Sequence, residues 1–106
     1  DMYRAMLAAT PAHVCITAAD SSRAGAFAAG RAYLRANLTA ASLGLAMQPV
    51  SQALQEFAEM DVLRSELDRL LAVDAPKRLH MLARLGYGPA VPQTPRWSAA
   101  SRIRTA

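Results

Sequence analysis

His13 and Cys15 stand two residues apart, with His80 far along the chain. In an extended segment, positions i and i+2 share a face, so the imidazole and thiol would project together. Histidine and cysteine bind zinc when they close a tetrahedral set. No CxxC or HExxH spacing accompanies them, so no metal centre is expected and sheet packing is their expected role. A nucleophilic cysteine needs a lowered pKa. Cys15 lies between Val14 and Ile16, which predicts a buried, inert thiol in mid-strand. Neither a P-loop nor GxGxxG or GxSxG occurs. The segment Gly86-Tyr87-Gly88 is a turn signal, and the acids between Glu56 and Asp74 suit a solvated helix face better than an acid–base pair. Residues 77–106 carry Lys77, Arg78, Arg84, Arg96, Arg102 and Arg104 with no acid, whereas residues 1–76 carry six arginines against eight acids. A basic tail can neutralise phosphate on a cofactor or a nucleic acid. Without interleaved aromatics or a reader motif, nucleic acid is not an expected partner.

Positioning these groups falls to a short series of elements. Apolar Met2, Tyr3, Met6 and Leu7 predict a helix over residues 2–9, ended by Thr10-Pro11, because proline disfavours helical geometry in the residue before it. Val14-Cys15-Ile16-Thr17 predicts a short strand within residues 12–18. Asp20, Ser21 or Ser22 can cap a long central helix over residues 23–47. On it Arg23, Phe27, Arg31 and Arg35 recur every four residues as a partly polar stripe. Gln48-Pro49 stops that helix, and a turn or short helix follows over residues 50–57. Met60, Leu63, Leu67, Leu70 and Leu71 form an amphipathic stripe, with Asp61, Arg64, Glu66, Asp68 and Arg69 mostly outside it. Alternation over residues 79–85 favours a second strand, broken at Gly86-Tyr87-Gly88-Pro89. Residues 90–106 read as an extended arm, poorly ordered from Ser98 unless docked. The reading is α+β with two strands, too few for an independent sheet, so further strands are expected from missing sequence or a partner chain.

Two segments carry a family likeness. The first runs from Arg31 through Leu43-Gly44-Leu45 to Gln48-Pro49-Val50-Ser51-Gln52; the second holds Met81 to Tyr87, then Gly88-Pro89 and Pro95-Arg96-Trp97. Over residues 12–104 the chain resembles the C-terminal part of the nitroreductase superfamily, nearest its Acg-type subgroup with twin-arginine-signal labels. The resemblance implies an FMN-dependent oxidoreductase that passes hydride from NAD(P)H through FMN to an acceptor, and a homodimer or pairing with a missing N-terminal half. By motif position it implies that Gln48, Pro49, Val50, Ser51 and Gln52 face the flavin ring and that Arg96 approaches its phosphate. A guanidinium there would form paired, charge-assisted hydrogen bonds. Many members carry a glycine or an acid where this chain has Ser51-Gln52. Tyr87 and Trp97 are read as packing side chains rather than flavin stackers, and no catalytic residue is assigned.

With 106 residues, the chain is one domain or part of one, read as a single partial domain over residues 1–106. Its 24 alanines let helices approach closely but supply little transfer energy each. A single cysteine excludes an internal disulfide framework and fits a reducing, cytoplasmic compartment. The uncharged run over residues 36–55 is interrupted by Asn37, Gln48, Pro49 and Gln52, so a core helix is expected in place of a membrane span. An initial Asp1 suggests an excerpt of a longer chain. The alternative to a flavoenzyme is a non-catalytic module that dimerises through the alanine-rich helix and the Met60 to Leu71 stripe.

Overall fold

A computed structural model of the chain describes residues 1–103. The order is α1 (Met2–Ala8), β1 (Ala12–Ala18), α2 (Arg23–Ser42), β2 (Ala46–Pro49), α3 (Asp61–Leu70) and β3 (Arg78–Gly86), with single 3₁₀ turns at Gln52–Leu54, Ala58–Met60 and Ala99–Ser101. The fold is α+β. Its sheet has three strands in the order β1-β3-β2, and β3 runs antiparallel to both neighbours. The two edge strands are therefore parallel, joined by α2 with β3 between them, which is a split β-α-β arrangement.

The expectation of two strands and a helix reaching Met47 is corrected by the end of α2. Gly44 adopts φ +71°, a region open to glycine without a Cβ penalty. Leu45 N–H then donates to the Ala40 carbonyl at 2.8 Å and Gly44 N–H to Ala41 at 3.1 Å. This is a Schellman termination, which satisfies two helix-end carbonyls and reverses the chain. The released residues, Ala46 to Pro49, pair along β3 with Gln48 opposite Arg84. Pro49, lacking an N–H, is tolerated because β2 is an edge.

Alternation assigns the sheet two faces. Ala12, Val14, Met47, Ala83 and Leu85 share one; His13, Cys15, Ala46, Gln48, Leu82, Arg84 and Gly86 share the other. The register slips between Ile16 and Thr17, where β3 carries one extra residue. Helix α2 touches all three strands, with Ala29 and Ala40 buried and Gly25, Tyr33, Ala36 and Asn37 partly covered. Its inward line is almost wholly small, so helix and sheet approach closely. The remainder of α2 is exposed and also apolar, including Phe27, Leu34 and Leu38.

Helix α3 departs from its expected burial. Leu67 and Leu71 turn partly inward, but Leu63 and Leu70 are exposed. Arg64, read from sequence as solvated, is instead a tie: Nη2 donates to the Leu79 carbonyl at 2.7 Å, Nη1 to Leu54 at 3.4 Å, and Nε to Asp68 Oδ2 at 3.2 Å. A second pair, Arg78 with Glu56, joins β3 to the segment before α3.

Among the described residues the buried apolar set is Ala29, Ala40, Val50, Leu79 and Ala83. The chain exposes 8642 Å², against roughly 5,700 Å² for a compact protein of its mass. Its radius of gyration is 16.5 Å, against about 13 Å for a compact chain of that length. Part of this excess is the segment after β3, which is exposed and without regular secondary structure through residues 90–98. The end of the expected arm, Arg104 to Ala106, lies outside the described residues. No helix among the described residues is long and apolar enough to cross a membrane.

Candidate functional site

Arg84 occupies the middle of a cross-strand row. His13 on β1 pairs with it on one side and Gln48 on β2 on the other, and the three side chains share the sheet face away from α2. Above the β2 end of this row opens a concavity of about 530 Å³, within the size range of small-molecule sites. Ala46, Gln48, Arg84 and Gly86 form its floor, and Met6, Ala9, Thr10 and Pro11 its α1 wall. The start of the arm, with Tyr87, Pro89 and Val91, forms the opposite rim.

The walls approach closely because two glycines allow it. A Cβ on Gly86 would meet Pro11 Cγ at 3.1 Å, and one on Gly88 would meet the Ala46 Cβ at 3.2 Å. Helix α1 is held by polar ties. The Tyr3 hydroxyl donates to Gln52 Oε1 at 2.9 Å, and Arg84 Nη1 reaches the Met6 carbonyl at 3.5 Å. The Arg84 contact is long for a guanidinium donor, whose ordinary range ends near about 3.2 Å. Arg84 also has no carboxylate within ion-pair distance among the described residues. Its remaining donors are free for an acceptor in the concavity.

The residues implicated by the family likeness separate in space. Gln48 lines the concavity; Pro49, Val50, Ser51, Gln52 and Arg96 do not. Val50 is buried, and its N–H donates to the Leu82 carbonyl at 2.9 Å, continuing the sheet. The Ser51 carbonyl accepts from Leu54 N–H, and the Gln52 amide is engaged by Tyr3. Within this turn the Gln48 amide and the Ser51 hydroxyl remain available. Arg96 is exposed on the arm. Sequence reasoning passed over Arg84; its inclusion in the likeness and its place in an alternating strand were visible, but its neighbours across the sheet were not.

Tyr87 and Trp97 are exposed, at 88% and 77%, and so do not pack as expected. The Arg102 guanidinium carbon lies 4.0 Å from the Trp97 ring centre, a cation–π contact. Cys15 is exposed as well, correcting the buried thiol of the sequence reading. It faces outward beside His13 on an uncovered stretch of β1. Partial desolvation by its neighbours raises the Cys15 thiol above its ordinary value, so it stays protonated at neutral pH and is a poor nucleophile.

At the start of α2, Ser22 Oγ accepts from Gly25 N–H at 3.0 Å, capping the helix. Asp20 Oδ1 in turn accepts from Ser22 N–H at 2.9 Å and from its hydroxyl. These bonds, the hydroxyl first, hold the Asp20 carboxyl below its usual pKa, and nearby His80 adds a smaller electrostatic effect. The His80 ring lies 3.2 Å from the Asp20 carbonyl, so it closes the sheet onto this cap. Among the described residues, no group of three His, Cys, Asp or Glu side chains is placed to hold a metal ion.

No family model, no curated protein and no solved structure matches this chain.

Proposed function

We propose that the chain contributes part of an FMN site in a nitroreductase-like oxidoreductase, as the C-terminal portion of that fold. The observation that carries this reading is the pairing of Arg84 and Gln48 on the floor of a concavity with apolar walls. A guanidinium and an amide offer hydrogen bonds to a polar, anionic ligand, while Met6, Pro11 and Val91 offer surface to an apolar ring. FMN, when bound, supplies hydride chemistry between NAD(P)H and an acceptor. This chain's own residues bind and orient: Gln48 toward a polar ring edge and Arg84 toward phosphate, whereas Ser51 and Arg96, which the family likeness implicates, stand outside the concavity. A reducing, cytoplasmic setting is part of the proposal, and the lone thiol is compatible with it.

Titrating FMN with the whole protein of which this chain is proposed to be the C-terminal portion tests this reading, because the chain alone supplies only part of the site. Saturable quenching of flavin fluorescence is expected, weakened at least tenfold by Arg84→Gln, since about 1.4 kcal/mol of lost charge-assisted bonding gives that factor. A whole protein that is colourless and gives no saturable quenching at about 100 μM, where even weak sites fill appreciably, rejects it.

A second reading, an assembly module, is favoured by one observation: Phe27, Leu34 and Leu38 on α2 and Val62, Leu63 and Leu70 on α3 are all exposed. Apolar side chains gathered on helix faces mark contact surfaces.

A further inference from the structure

The exposed faces of α2 and α3 differ in charge and match in length. On α2, Phe27, Arg31, Leu34, Arg35 and Leu38 fall on one stripe, all exposed. From Arg23 to Ser42 this helix carries arginines and no acid. Ala28 and Ala32 flank Arg31 and Arg35 and leave a shallow groove of about 480 Å³ beside them on the helix surface. Small side chains there let a partner helix approach, and the arginines select carboxylates on it. On α3 and the turn before it, Glu59, Val62, Leu63, Glu66 and Leu70 form the reciprocal stripe, also exposed. Within α3, Arg69 borders it with the opposite sign, while Arg64 turns inward. Each stripe spans eleven residue steps, about 16 Å along α2 and a similar distance along α3 with the 3₁₀ turn before it.

We infer that the occupant of the α2 groove is α3 of a second copy of this chain. The inference deepens the assembly reading and rests on it. Placing α2 against its own copy would set Arg31 and Arg35 opposite like charges; placing it against α3 sets them opposite Glu59 and Glu66. A two-fold axis would repeat that contact, α2 on the partner's α3 and the reverse, as an isologous dimer requires. Stable interfaces bury about 800 Å² or more per partner, and the exposed Phe27, Leu34, Leu38, Val62, Leu63 and Leu70 supply apolar surface toward that area.

Sedimentation equilibrium of the chain over micromolar concentrations is the test. A dimer that weakens as salt rises is expected, because its charge pairs sit at a partly exposed rim. Arg31→Glu with Arg35→Glu should weaken it at least tenfold, as should Glu59→Lys with Glu66→Lys. Combining all four reversals should restore association to within about threefold of the original, since pair energies then return while single-site losses cancel. Circular dichroism establishes that each variant retains its helices. A dimer indifferent to salt and to both reversals overturns the α2–α3 contact while leaving assembly standing. A chain that stays monomeric to about 100 μM, a concentration that populates even weak dimers, overturns both.

Discussion

Arg64 shows how much one side chain can carry in a chain with few buried residues. Its guanidinium reaches α3, the Gln52–Leu54 turn and β3 at once, with its side chain largely covered. Removing it would leave the Leu79 and Leu54 carbonyls without that donor, and Asp68, whose Oδ1 is already unpartnered, without its counter-charge. Arg64→Ala is expected to destabilise the fold by about 2–4 kcal/mol, read from denaturant midpoints at unchanged slope. Asp20 acts in a smaller, pH-dependent way. Its folded pKa is depressed, so its contribution is complete above the unfolded carboxyl value near about 3.9 and is lost as pH falls through the lower folded value. Replacing Asp20 by Asn should therefore lower stability at neutral pH, with the gap to the parent closing in acid. Parallel unfolding curves at pH 7 and about pH 2.5, below the ordinary carboxyl value, would show it; a gap that does not depend on pH would exclude the linkage.

The helix ends decide the topology at the scale of elements. Both α2 and α3 terminate in Schellman geometry: Gly44 holds the left-handed position after α2, and Ala72 holds it after α3 at φ 51°. The Val73 N–H donates to the Asp68 carbonyl at 2.9 Å and Ala72 N–H to Arg69 at 3.3 Å, the bond pattern seen at Gly44. Alanine there carries a Cβ that glycine lacks. Ala72→Gly should thus stabilise the chain by up to about 1 kcal/mol, and Gly44→Ala should cost about 1–2 kcal/mol. Thermal midpoints moving in opposite directions are the readout. A sequence reader sees Leu43-Gly44-Leu45 as continuing helix because the apolar pattern does not stop there. Which residue takes the left-handed position is settled by whether β3 offers Ala46 to Pro49 a partner.

As a whole molecule the chain is open. Three strands with two edges unpaired among the described residues, a helix whose buried line is mostly alanine and glycine, and an arm exposed along its described part leave a surface far above that of a compact chain. If association covers that surface, solution scattering should give a concentration-dependent radius of gyration, while dilution should return it toward the 16.5 Å of the single chain. The sequence by itself determined the local elements at α1, β1, α3 and β3 and the charge polarity of the tail. Those follow from periodicity, proline stops and composition, all properties of neighbours along the chain. It also placed Gln48 among the candidate residues. Only the tertiary structure decided that Gln48 leaves the helix for an edge strand, that Arg84 stands beside it, and that Arg64 turns inward. Each of these depends on cross-strand register or on contacts between residues 10 to 36 positions apart, where no local pattern carries the information.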